Sequence, residues 1–123
     1  MKLSEVQKIL QAEVLCGEES LDLELDTACG SDLMSDVLAF TKRGALLLTG
    51  LTNAQAIRTA EIADIKAVVF VRGKRPDEGV IKLAESKNIP ILATRFLMFE
   101  SCGMLYENGM VGVSQLKEAV GDG

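Results

Sequence analysis

The sequence predicts an α/β protein, a three-layer α/β/α sandwich around a mostly parallel, mixed sheet. Two observations predict the parallel part. Short apolar runs alternate with helix-like segments from residue 45 to residue 93, and β-α-β spacing of this kind joins parallel strands through right-handed crossovers. Three of those runs, Leu46-Leu47-Leu48, 67–71 and 89–93, also end in a turn that opens a helix: Thr49-Gly50-Leu51-Thr52-Asn53, Arg72-Gly73-Lys74-Arg75-Pro76 and Thr94-Arg95. The mixed part rests on Leu21-Asp22-Leu23-Glu24-Leu25-Asp26, whose strict alternation is that of a half-exposed strand.

Taken in order, Ser4 to Gln7 reads as a capping box that opens a first helix with Leu3, Val6, Ile9 and Leu10 inward. Val14-Leu15-Cys16 is a short strand and Gly17-Glu18-Glu19-Ser20 a turn, so these residues and the alternating segment are expected to form an edge hairpin near residues 14–28. The acids there read as a solvated face that discourages edge pairing, because alternate carboxylates on one strand rarely converge on one ion. Gly30-Ser31 ends the strand. Ser31 or Asp32 caps a second helix that buries Leu33, Met34, Val37 and Leu38, and Gly44 breaks it. The alternation then predicts a strand over 45–49, a helix over 52–64, a strand over 66–71, a helix over 76–87, a strand over 89–93 and a helix over 95–106. Thr52 to Gln55 is a second capping box. Pro76 suits a first helical turn, with Asp77 and Glu78 behind it where the helix dipole favours acids. A turn from Asn108, the short apolar piece Met110-Val111-Gly112-Val113 and a helical turn from Ser114 follow. At 123 residues the chain reads as a single domain over 1–123.

Composition excludes several functions. The net charge of −5 disfavours general binding to nucleic acid or an anionic membrane. There is no histidine, which removes the usual acid–base side chain and the commonest metal ligand. Cys16, Cys29 and Cys102 are widely spaced with no Cys-x-x-Cys, against a zinc or thioredoxin-like site; reduced thiols fit a cytoplasmic location. No apolar run reaches transmembrane length, and residues 1–5 open an amphipathic pattern rather than a signal peptide. Neither a P-loop nor Gly-x-Gly-x-x-Gly occurs, which excludes phosphoryl transfer by the usual nucleotide-binding loop.

In a parallel sheet the strand endings meet at one edge, where open α/β folds bind ligands. Gly50 and Gly73 permit tight turns with open N–H groups, and helix N-termini there favour anions. Arg72, Lys74, Arg75 and Arg95 add cations; Thr49, Thr52, Asn53 and Thr94 add hydrogen-bonding groups; Ser31 and Asp32 reach the same edge. Each of these residues taken singly also reads as a cap or a solvated turn. Nucleophilic catalysis by Ser31 or Cys29 lacks a base, so no catalytic residue, metal or cofactor is assigned. Phe96-Leu97-Met98-Phe99, with Cys102, Met104, Leu105 and Tyr106 behind it, is apolar on more than one helical face. It reads either as a deeply packed core helix or as a self-association face through Phe96, Met98, Phe99 and Cys102.

The succession Cys29-Gly30-Ser31-Asp32-Leu33-Met34-Ser35-Asp36-Val37-Leu38-Ala39, then Leu48-Thr49-Gly50, Val69-Phe70-Val71-Arg72-Gly73-Lys74-Arg75-Pro76, Ile89-Pro90-Ile91-Leu92-Ala93-Thr94 and Phe99-Glu100 resembles a stand-alone DRTGG domain, over about residues 4–106. Such domains occur in the N-terminal half of HPr kinase/phosphorylase, in the middle of long phosphotransacetylases and beside CBS-domain pairs; short free-standing copies occur near iron-hydrogenase genes. The resemblance implies a small self-associating α/β sandwich with a regulatory, ligand-sensing and non-catalytic role. The expectation is therefore a homodimer that senses a small anionic or nucleotide-like ligand, or alternatively a module docking on a metabolic or hydrogenase-related enzyme. The chain departs from the family pattern twice. Leu51-Thr52-Asn53 follows Gly50 where the family has an Asp-Arg pair, and Arg72-Gly73 stands in place of Gly-Gly.

Overall fold

A computed structural model describes residues 1–114. In chain order these form α1 (Leu3–Leu10), β1 (Glu13–Cys16), a 3-10 turn (Glu18–Ser20), β2 (Thr27–Gly30), α2 (Met34–Phe40), β3 (Leu46–Thr49), α3 (Ala54–Ile62), β4 (Ala67–Phe70), α4 (Glu78–Ser86), β5 (Ile91–Ala93), α5 (Met98–Glu107) and β6 (Val111–Gly112). The sheet order is β1-β5-β4-β3-β2-β6. β6, β2, β3, β4 and β5 run parallel and β1 closes one edge antiparallel to β5. This is the mostly parallel, mixed α/β/α sandwich that the alternation predicts.

The central strands are apolar throughout because both faces are covered. Leu47, Val68, Phe70 and Ile91 pack with Val37, Ala56, Ile57 and Ala84 of α2, α3 and α4. Leu46, Leu48, Val69 and Leu92 point the other way and pack with Leu3, Val6 and Leu10 of α1 and Leu105 of α5. The alternation of side chains along each strand thus sorts one continuous apolar run into two cores.

Three local expectations are corrected. There is no hairpin over 14–28: β1 pairs with β5, while β2 lies across the sheet beside β3. The alternating segment between them does different work. Leu23 and Leu21 carbonyls accept the N–H groups of Leu3 and Ser4, and Leu25 donates to the Met1 carbonyl. Its backbone thereby satisfies the first turn of α1, and Leu25 is buried beneath that helix. The caps also shift. Glu5 closes α1 by accepting the Lys2 N–H, Asn53 rather than Thr52 caps α3, and Asp77 caps α4, which leaves Pro76 ahead of the helix. On α2 only Met34 and Val37 are buried; Leu33 and Leu38 are 58% and 48% exposed, because the helix is short and turns one side alone to the sheet. The apolar piece at 110–113 contributes β6, Val113 and Ser114 are helical, and the rest of the helical turn expected from Ser114 lies outside the described residues.

Gly17 (φ 86°) joins β1 to the 3-10 turn, and a Cβ there would stand 2.4 Å from Pro90 Cβ, so the approach of β1 to the start of β5 requires glycine.

Candidate functional site

Parallel β2, β3, β4 and β5 deliver their C-terminal ends to one edge of the sheet, and the residues assigned there from the sequence follow those ends in the chain. They do not form one cluster. The inner group lies after β2, β3 and β4. Asp32 Oδ1 accepts the Gly50 N–H at 2.6 Å and the Thr49 hydroxyl at 3.3 Å, and Thr49 Oγ1 accepts the Leu51 N–H at 3.1 Å. The first of these is short, as suits a charge-assisted bond to a carboxylate. A Cβ on Gly50 would stand 2.9 Å from Arg72 Nε and 3.3 Å from Asp32 Oδ1. The guanidinium therefore lies over Gly50 with the carboxylate beside it, and the bare glycine is the floor between them.

Backbone geometry places Arg72. It adopts φ 58° and Gly73 φ 71°; their N–H groups turn back and donate to the carbonyls of Phe96 at 2.7 Å and Thr94 at 2.9 Å. Among the described residues no ion pair engages Arg72 or Lys74.

The outer group braces the far side of the edge. Arg75 reaches Glu13 on β1 at 2.6 Å. Arg95 donates to Gln11 at 3.1 Å and lies over the Phe96 ring, 4.9 Å from its centroid. Thr94 is buried; its hydroxyl donates to the Leu10 carbonyl at 2.7 Å and accepts the Phe96 N–H at 3.3 Å. These residues tie the ends of β5 and β1 to α1.

The open N–H groups expected of the strand endings are largely engaged. Those of Gly50, Leu51, Arg72 and Gly73 are bonded as above, Ser31 donates to the Leu48 carbonyl, and Leu33 donates to Ser31 Oγ. Asn53 Oδ1 accepts from Gln55 at 3.0 Å, a cap that leaves Thr52 beside it without a capping role. The N–H groups of Gly50, Leu51, Arg72 and Gly73 are thereby turned inward and do not face a ligand. Toward an anion the edge offers the side chain of Arg72 first, with Lys74 close behind it in the chain. The sequence marked Asp32 as a cap and missed its bond to Gly50, whose signal is only that a small residue must stand where the two loops meet.

α5 divides the apolar residues assigned to a self-association face. Met98 Sδ and Cys102 Sγ would lie 3.0 and 2.8 Å from a Cβ on Gly30, so both turn inward and require glycine at the end of β2. Phe99 is 86% exposed and Leu97 57%, while Phe96 is half-buried under Arg95. Below Gly30, a cleft of about 130 Å³ is lined by Ala28, Cys29, Leu48, Cys102 and Leu105. Burial pushes the thiols of Cys29 and Cys102 above the ordinary range, the first partly offset by the Thr41 hydroxyl, which keeps them protonated and unreactive. Among the described residues no group of His, Cys, Asp or Glu is placed to hold a metal ion, and no helix is long and apolar enough to cross a membrane.

Comparison with known proteins adds a family and a fold. The family model of the DRTGG domain matches residues 5–107. Among solved structures the chain is similar to the crystal structure of the CBS and DRTGG domains of the regulatory region of Clostridium perfringens pyrophosphatase, complexed with its activator diadenosine tetraphosphate, with a TM-score of 0.70 and 18% identity. The likeness covers 84% of this chain and 45% of that one, so the chain spans less than half of the structure it matches. At this identity the likeness is one of fold. No curated protein matches the sequence.

Proposed function

From the chain's membership of the DRTGG domain family, we propose that it is a non-catalytic regulatory domain that senses a small anionic or nucleotide-like ligand at the C-terminal edge of its sheet. The observation that carries this reading is Arg72. Its guanidinium is held over Gly50 with no ion-pair partner among the described residues, at the edge where open α/β sheets take ligands. No reaction is proposed: the hydroxyl that donates to a carboxylate at this edge, Thr49 to Asp32, belongs to a fully buried side chain.

Thermal-shift and calorimetric titration with mononucleotides, dinucleoside polyphosphates and sugar phosphates test it. The similar pyrophosphatase region was solved with diadenosine tetraphosphate, which makes that compound a sensible first probe. At least one anion is expected to raise the melting temperature, and Arg72→Ala is expected to weaken it by about tenfold, the effect of losing a charge-assisted contact. No shift with any anion overturns the reading.

The exposed Phe99 and Leu97 at the start of α5 support a second reading, a module docking on a metabolic or hydrogenase-related enzyme. A stoichiometric partner lost in Phe99→Asp, together with an edge that takes no anion, favours it over the first.

A further inference from the structure

We infer that the strand-end edge around Gly50 selects a ligand carrying an anionic group close to a hydroxyl, the phosphorylated sugar or polyol class, with Arg72 holding the anion and Asp32 accepting from the hydroxyl. The inference rests on the anion-binding reading above and deepens it. With the N–H groups of Gly50, Leu51, Arg72 and Gly73 engaged, the group nearest Gly50 that can attract an anion is the Arg72 side chain. Arg75 and Arg95 are bonded to Glu13 and Gln11, which leaves Arg72 as the cation facing Gly50.

Asp32 shares that floor. Both of its bonds go to Oδ1. Asp32 is exposed and Oδ2 has no bond among the described residues, while an ionised carboxylate accepts through both oxygens. The edge therefore presents a cation and an unused anionic acceptor on either side of a residue without a side chain. A bare polyanion drawn to Arg72 meets the charge of Asp32. A ligand that offers a hydroxyl there turns the same carboxylate into a partner.

Asp32→Asn separates these roles. The asparagine oxygen still accepts from Gly50 and Thr49, but the charge is gone and the free oxygen becomes an N–H donor. Calorimetry with ribose 5-phosphate and with inorganic pyrophosphate supplies the readout. The wild-type protein is expected to prefer ribose 5-phosphate. Asp32→Asn is expected to weaken that probe about fivefold by loss of an acceptor and to tighten pyrophosphate about three- to tenfold by removal of a like charge. A brace acting only on the fold would move both probes the same way, and that outcome, or no change in either, overturns the inference while leaving anion binding intact. So does a wild-type protein that takes pyrophosphate and not ribose 5-phosphate. Binding of neither probe by both proteins overturns the anion-binding reading too. If Asp32→Asn melts early, Gly50→Ala decides: its Cβ crowds the Arg72 guanidinium at 2.9 Å and, less, Asp32 Oδ1 at 3.3 Å, and it is expected to weaken both probes. Unchanged affinity in that variant overturns the placement of the anion on Arg72.

Discussion

Among the described residues four other than glycine have positive φ: Gln11, Asp64, Arg72 and Asn88. Three of them follow the helices α1, α3 and α4, where a left-handed residue is an ordinary helix ending. Arg72 follows a strand instead. A side chain in that conformation costs about 1 kcal/mol or more relative to glycine, and nothing in the core recovers it, since Arg72 is exposed. The strain is kept at the one cation that faces Gly50. Arg72→Gly is therefore expected to raise the unfolding free energy by about 1 kcal/mol in urea titration while weakening anion binding about tenfold, as Arg72→Ala does. A variant that is less stable would show that the guanidinium holds the loops together. At this scale the sequence revealed which residues reach the edge and little of what each does there. Arg72 and Arg75 stand three positions apart in one basic turn, yet one lies over Gly50 and the other reaches back to Glu13. The difference is set by a backbone bend and by β1 lying beside β5, neither of which is local in sequence.

The elements show a similar division. The strands of the central sheet were legible because a strand covered on both faces is apolar at every position and needs only its length to be recognised. Helix starts were less so. Thr52-Ala54-Gln55 fits a capping box, but Asn53 is an equally good cap one residue later. Tertiary packing settles the register by turning Ala56, Ile57 and Ala60 toward the sheet. Asn53→Ala is accordingly expected to cost about 1 kcal/mol of stability, against a few tenths for Thr52→Ala; equal losses in denaturant melts would move the cap back to Thr52. The segment at 21–26 has the strand period without being a sheet strand. Its leucines pack under α1 while its carbonyls receive the N–H groups of that helix. Period 2 reports that alternate side chains are buried, and it is silent on which partner the backbone finds.

Over the whole molecule, some of the exposed apolar side chains follow β2 or open the helix that packs on its end. Leu33 follows that strand, and Leu97 and Phe99 open α5, which rests on Gly30 through Met98 and Cys102. A ring 86% exposed on a helix start is a surface that a partner molecule would cover, and the oligomeric state in solution tells a second copy of the chain from a partner enzyme. The same helix start bears on the strand-end edge, because the Phe96 carbonyl that receives the Arg72 N–H lies one residue before Leu97. A partner seated at Leu97 and Phe99 would adjoin the loop that holds Arg72 in its left-handed conformation. If that partner is a second copy, linkage requires a ligand that favours the conformation to tighten the dimer as much as the dimer tightens the ligand. Light scattering is expected to give twice the 13.2 kDa chain mass for the wild-type protein and a folded monomer for Phe99→Asp, with ribose 5-phosphate bound more weakly by the monomer. A wild-type monomer at high concentration overturns the dimer. A monomeric variant with unchanged affinity leaves the dimer standing and severs its coupling to Arg72.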